Sequence, residues 1–365
     1  MKESFLHNKL NQRKQESSYR QLRLATPGNV DFCSNDYLGI VRNRLLETTH
    51  DLYPAGATGS RLLSGNYVLV EETEALIASF HEAAAALIFN SGYDANLGLL
   101  SSVPQRGDTV FYDYLSHASI RDGIRLSFAD AFSFRHNDLN DLEEKLQKAK
   151  GTVFIVTESV FSMDGDICPL QELVELAERY NAQLVIDEAH ATGVIGERGE
   201  GLVQQLGLQD KVFARVHTFG KACGCHGAAV LGSAALRDYL VNFARSFIYS
   251  TALSPQAVAH IRGSYRLFPT LAAEREQLRR LVEQFQQAKA GISLLASQTP
   301  IQGVIVPGNE QARATAVFLQ GEGLDVRPIL YPTVPKGEER LRIVLHSFNT
   351  QMEVDRLLNS LKNSL

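Results

Sequence analysis

The chain has 365 residues, 44% of them hydrophobic and 21% charged, with a formal net charge of -5 at pH 7 and a pI near 6.1. That composition belongs to a globular chain that buries a large core, and on about 100 to 200 residues per domain the length suggests a large α/β domain with a smaller terminal one. The acidic balance argues against nucleic acid as a partner, no uncharged run reaches the roughly 18 residues a membrane span needs, and Met1–Leu10 lacks the apolar core of a secretory signal, so a cytoplasmic protein acting on small molecules is expected.

Up to about residue 30 the chain is polar and helix-prone, and Phe32–Gly39 is its first ordered landmark. From there to about residue 250, short apolar runs alternate with amphipathic ones: Ala85–Phe89, Thr109–Tyr112, Thr152–Val156, Gln183–Ile186, Val212–Val216 and Ala228–Leu231. Continuous β-branched runs between helical patterns predict a mostly parallel sheet covered on both faces. Pro255 opens one long helix-forming stretch rich in Ala, Gln, Glu and Arg that reaches about residue 295. Beyond it the pattern predicts a strand at Gly303–Val306, a helix over 309–320, a strand at Arg340–Val344 and a final helix from about 350, which suits a small α+β domain. The expected division is an N-terminal segment (1–45), a large domain (46–255) and a small C-terminal domain (256–365).

Ligands of open α/β sheets gather at the carboxyl ends of strands, and polar residues follow several of these runs. Asp187 ends the run Gln183–Ile186, where a partly desolvated carboxylate can hold a protonated ring nitrogen through a charge-assisted bond; capping the next helix is its other reading. Lys221 stands in the glycine-rich segment Thr218–Gly227, suited to close backbone approach to a bound group and to a lysine that bonds covalently to an aldehyde. A cofactor ring held between these two becomes an electron sink. Ser91, Gly92 and Tyr93 follow a strand and precede a helix, offering backbone N–H groups of the kind that bind phosphate. His117 follows another strand and can lie flat on a cofactor, although a lone histidine is more often only hydrogen-bonded in a core. Cys223, Cys225 and His226 are spaced too tightly for the usual zinc pair, and no metal is expected.

Ser34–Gly39, Gly59–Asn66, Glu158–Asp166, Asp187–Gly193 and Thr218–Lys221 occur in an order that resembles the α-oxoamine synthase family of fold-type I pyridoxal 5'-phosphate (PLP) enzymes, from about residue 31 to the C-terminus. The resemblance implies a PLP-binding large domain in which Lys221 bonds to the cofactor aldehyde, Asp187 holds the pyridine nitrogen, His190 bonds the ring oxygen and His117 stacks on the ring. It further assigns cofactor contacts to Gly92, Tyr93, Ser162 and Thr218, with Ser250 or Thr251 reaching the phosphate of a partner subunit in a homodimer whose active sites lie at the interface. Arg342 matches the family arginine that grips the amino-acid carboxylate, Asn35 and Thr333 match further substrate contacts, and Arg20 matches an arginine that meets the acyl carrier. The implied reaction condenses an amino acid, L-alanine before glycine or serine, with an acyl thioester on coenzyme A or a carrier protein. Pimeloyl is the expected chain. A binding module without catalysis is the rival reading, and the presence of both Lys221 and Asp187 speaks against it.

Overall fold

A computed structural model describes residues 3–22, 24–46, 53–287 and 291–365. The chain forms two compact units: Leu38–Phe161 with Ile167–Arg275, and Met1–Tyr37 with Ser162–Asp166 and Glu276–Leu365. Among the described residues no helix is long and apolar enough to cross a membrane.

The larger unit is built on seven strands: β1 (Ala85–Phe89), β2 (Thr109–Asp113), β3 (Asp130–Phe134), β4 (Val153–Glu158), β5 (Gln183–Asp187), β6 (Ala214–Thr218) and β7 (Ala228–Gly232). They lie in the order β1-β7-β6-β5-β4-β2-β3, and only the pairings of β7 with its two neighbours are antiparallel. The mostly parallel sheet expected from the apolar runs is therefore present. One strand has no counterpart among those runs: β3 is one of the two edge strands and is exposed along all but its last residue, and a strand with so little buried surface carries no apolar run to betray it.

On one face of the sheet Val110, Val156, Val185, Val216 and Val230 share a core with Leu99 and Leu100 of the helix Gly92–Ser102 and Ile120 and Ile124 of the helix Ala118–Leu126. Those two helices pack closely because Gly123 has no side chain: a Cβ there would come within 2.8 Å of the Asn96 carbonyl oxygen. The helix Leu170–Arg179 packs on β5, presenting Leu170, Leu173, Val174, Leu176 and Ala177 to the interior.

The helix-forming stretch after Pro255 holds two helices, Pro255–Leu267 and Ala272–Gln287, separated by the 3-10 turn Phe268–Thr270; residues 288–290 of that stretch lie outside the described ones. Pro269 cannot donate the backbone bond that would continue the first helix. Pro255–Leu267 packs on Val68–Phe80 and belongs to the larger unit, so the division falls inside the second helix and not at residue 255.

The smaller unit has a three-stranded antiparallel sheet in the order β9-β10-β8, from β8 (Ile301–Ile305), β9 (Arg327–Ile329) and β10 (Arg340–Val344). Helices Asn309–Gly321 and Gln351–Ser364 pack together, the latter closed at its start by a capping box between Thr350 and Glu353. β9 escaped the sequence pattern because it is three residues long, half-buried and contains Pro328. The N-terminal segment is part of this unit: Val344 N donates to Phe32 O (2.9 Å), and Val30–Asp31 pairs in parallel with Leu324–Asp325.

Candidate active site

Four neighbouring strands of the large sheet, β2, β4, β5 and β6, end at the same edge on Asp113, Glu158, Asp187 and Thr218. Glu158 and Asp187 are register partners, so their side chains leave the same face of the sheet, above Val156 and Val185 two residues earlier. That face is the one covered by the helices Gly92–Ser102 and Ala118–Leu126, and both helices contribute polar groups near their N-termini, Asn96 and Ser119.

Asp187 is 6% exposed and its carboxylate is held from two sides. Asn96 Nδ2 donates to Oδ2 (2.7 Å), and Ala189 N donates to Oδ1 (2.9 Å). Asn96 Nδ2 also donates to Ser119 Oγ (3.0 Å), and Ser119 Oγ lies 2.7 Å from His117 Nδ1. Since Ser119 N donates to the same ring nitrogen (3.2 Å), Nδ1 is an acceptor and the imidazole proton sits on Nε2. The circuit returns through the main chain, where His117 N donates to Glu158 Oε1 (2.7 Å).

Burial and charge set the protonation states. Desolvation lowers the pKa of His117, against the opposing pull of Asp187, and the Lys221 ammonium lowers it further. Glu158 is buried and its pKa is pushed up to about 8, first by desolvation and then by the Asp187 charge, with Lys221 and the His117 amide acting the other way. Asp187 ends β5 and Lys221 follows the neighbouring parallel strand β6, so the carboxylate and the amine that frame the expected cofactor come from one edge of the sheet. His190 is buried on the turn that follows Asp187, where Ala191 N and Thr192 N both donate to Glu188 O.

At the start of the helix Gly92–Ser102, Ser91 caps the end by accepting from Asp94 N (3.1 Å). A Cβ on Gly92 would fall on the Thr218 hydroxyl, so a bare backbone N–H and a side-chain hydroxyl stand side by side at a helix N-terminus, a pair of donors suited to phosphate oxygens. A buried carboxylate for a ring N–H, an amine for an aldehyde and this glycine cradle together fit PLP. Tyr93 is 43% exposed and donates to Asp122; Thr251 is exposed, with its carbonyl accepting from Asn90 Nδ2 (2.8 Å).

The smaller unit brings the other expected residues together in pairs. Arg342 on β10 donates from Nε to Ser162 O (2.7 Å) and from a terminal nitrogen to Asn35 Oδ1 (3.0 Å), which also accepts from Tyr37 OH (3.2 Å). Burial raises the Tyr37 phenol to about 12, against the lowering effect of Arg342, so it stays a donor. Arg20 donates to Thr333 Oγ1 (3.1 Å), and both line a cavity of about 620 Å3 with Arg313, Arg327 and Tyr331.

Two members of the Asp187 circuit were not singled out in the sequence, Asn96 and Ser119. Asn96 had a readable signal, a lone amide among Ala95, Leu97, Leu99 and Leu100 on an apolar helix. Glu158 lay inside a recognised segment, but nothing local told it apart from Asp164 or Asp166.

Residues 27–361 match the family described as aminotransferase class I and II. The chain is 42% identical to the 8-amino-7-oxononanoate synthase of Emericella nidulans, over 98% of this chain and 94% of that one, and 41% identical to the synthase of Lysinibacillus sphaericus, over 94% and 93%. Among solved structures it resembles a PLP-bound serine palmitoyltransferase from S. paucimobilis (TM-score 0.90, 26% identity, 100% and 97% covered) and the 8-amino-7-oxononanoate synthase of Francisella tularensis (TM-score 0.81, 28% identity, 93% and 98% covered).

Proposed function

The chain belongs to the class I and II aminotransferase family, and from that premise we propose that it is a PLP-dependent acyltransferase joining L-alanine to a pimeloyl thioester, with loss of carbon dioxide, to make 8-amino-7-oxononanoate for biotin biosynthesis. The observation that carries the chemistry is the placement of Asp187 at the end of β5, held by Asn96 and Ala189 N, with Lys221 just after the end of the neighbouring strand β6. PLP, when bound, supplies an electron sink conjugated to the α-carbon of the amino acid attached to it.

Asp187 keeps a ring N–H in place because its carboxylate is fixed by Asn96 and Ala189 N and shielded from water. His117, neutral and turned by Ser119, offers a flat apolar face for stacking, and His190 is assigned to the ring oxygen. Gly92 and Thr218 are assigned to the phosphate, with Tyr93 and Ser162 as further cofactor contacts. Lys221 takes the α-proton of alanine. The α-carbon then bonds to the thioester carbonyl carbon, the carbon–sulfur bond breaks, and the departing thiolate takes a proton from water, so that Lys221 keeps the one it removed. Loss of the carboxylate as carbon dioxide leaves its electron pair at the α-carbon, which Lys221 reprotonates. Arg342 is assigned to the carboxylate of alanine, since a guanidinium with a fixed plane sets which α-carbon bond is weakened; Asn35 holds that plane. Arg20 and Thr333 are assigned to the acyl thioester.

We place this activity in the cytoplasm, in a homodimer. Leu62, Leu63, Val68 and Tyr249 are 51%, 83%, 72% and 72% exposed, on segments joined by Ala252 N to Gly59 O (3.0 Å) and Tyr67 OH to Leu253 O (2.8 Å). Apolar exposure on that scale favours a second copy, with Ser250 or Thr251 assigned to the partner's phosphate.

A sister reaction, serine palmitoyltransferase, is favoured by its TM-score of 0.90 against 0.81 for the synthase. Backbone likeness reports the fold, whereas 42% against 26% identity reports the side chains that choose substrates, and we follow the side chains. Mass spectrometry of reactions containing PLP, one of alanine, glycine or serine, and either pimeloyl or palmitoyl thioester tests the choice. Product is expected from alanine and pimeloyl; turnover confined to serine and palmitoyl would replace this reading with the sister one.

A further inference from the structure

The reaction above uses Asp187 and leaves its neighbour unexplained. Glu158 is 3% exposed, stands opposite Asp187 in the register of β4 and β5, and accepts from the main chain of His117 (2.7 Å). Two carboxyl groups side by side in a buried site do not both ionise, because each charge loses its hydration and repels the other. The hydrogen bonds say which one keeps the charge: Asp187 accepts from an amide side chain and a backbone N–H, one on each oxygen. From this geometry we infer that Glu158 is a positioning residue that works as a neutral acid, fixing the His117 loop through one oxygen while leaving Asp187 as the single anion for the cofactor's ring nitrogen.

The inference deepens the proposed function and rests on its assignment of Asp187 to the ring. Its content is a division of labour between the two acids. A second negative charge beside Asp187 would hold the proton on Lys221, which must be shed before that amine can bond to an aldehyde or accept an α-proton. A neutral Glu158 avoids this and still supplies the oxygen that His117 N requires. The charged and titratable groups facing it are Asp187 on β5, Lys221 after β6, His117 after β2, and Asp113 at the end of β2, itself held by His136 (3.0 Å) after β3.

The sign of the pH dependence follows. Folded Glu158 binds its proton more tightly than unfolded Glu158, so its contribution to stability is complete below the ordinary carboxyl value of 4.5 and disappears as pH rises through about 8. Glu158→Gln keeps the acceptor and removes the titration; Glu158→Ala removes both.

Melting of the full chain without PLP, followed across pH 4 to 9, should show wild type losing stability relative to Glu158→Gln up to about pH 8 and running parallel to it above. In PLP titrations followed by absorbance at neutral pH, Glu158→Ala should weaken binding about tenfold or more, as expected when a backbone donor loses a buried partner, and Glu158→Gln should recover most of that loss. Carboxyl-carbon NMR of wild type reads the group directly if a variant does not fold. A Glu158 titration near 4.5, parallel melting of wild type and Glu158→Gln throughout, or a Gln variant as impaired as the Ala variant would each overturn the inference. None of these readouts uses alanine or a thioester, so a failed substrate assignment and a failed Glu158 role remain separable.

Discussion

Two of the sites where the larger unit buries acids, Glu74 and the pair Glu158 and Asp187, differ in the partner chosen for each. Glu74, 4% exposed at its side chain, receives a bidentate guanidinium from Arg61 (2.7 and 3.1 Å) and the Ile88 backbone N–H (2.9 Å). Arg61 is oriented in turn by Asn66 Oδ1 (2.8 Å). Glu158 and Asp187 are as deeply buried, but they face each other, a lysine and neutral amide and backbone donors. A guanidinium stays charged at any working pH, so the first site has one stable protonation state and acts as a strut between the Gly59–Asn66 segment and the helix Val68–Phe80. The second can hold one proton more or fewer, which suits a site that must move protons. The lesson is that burial alone does not mark a functional acid: Glu74 is closed by a guanidinium, whereas Glu158 and Asp187 stand beside each other at a strand edge.

Substitutions on each side sharpen that contrast. Lys221→Ala should cost the most: with the proton carrier gone, turnover should fall by about 10^2 to 10^4-fold while the melting temperature stays near wild type. Product formation at wild-type rates would remove Lys221 from its assigned role. Arg61→Ala is next and acts on stability alone, leaving buried Glu74 with only Arg237, 3.6 Å away, as its cation, at up to about 3 to 5 kcal/mol, to be read from denaturant unfolding; a variant with unchanged unfolding and reduced turnover per folded molecule would erase the distinction between the two sites. Asn96→Ala is the smallest. Losing a hydrogen bond to a charged group costs about 1.5 to 3 kcal/mol, expected here as a 10- to 100-fold weaker PLP affinity that excess cofactor overcomes. An unaltered affinity would mean that Asp187 does not need the amide to keep its orientation.

Much of this arrangement was readable along the chain. Strands β1, β2, β4, β5, β6 and β7 announce themselves as apolar runs because both of their faces are covered, and Asp187 and Lys221 stand where such runs give way to turns. The edge strand β3, the short β9 and the break at Phe268–Thr270 did not, since each lies where burial is thin or a local 3-10 turn interrupts a composition that is helical throughout. Asn35 with Arg342, and Arg20 with Thr333, are each separated by about three hundred positions, and their adjacency in the smaller unit follows from the N-terminal segment joining that unit.

By itself the sequence determined the residue types: a lysine, an acid, two histidines and a glycine near strand ends, in segments whose order resembles a family of PLP enzymes. Charge states were beyond its reach, because a carboxyl group's pKa depends on what surrounds it in three dimensions. Only the fold set Glu158 across from Asp187 in strand register and brought Asn96 and Ser119 from two helices to complete the circuit around His117. Desolvation and the distance between charges decide which of two identical functional groups keeps its proton, and both quantities exist only once the chain has folded.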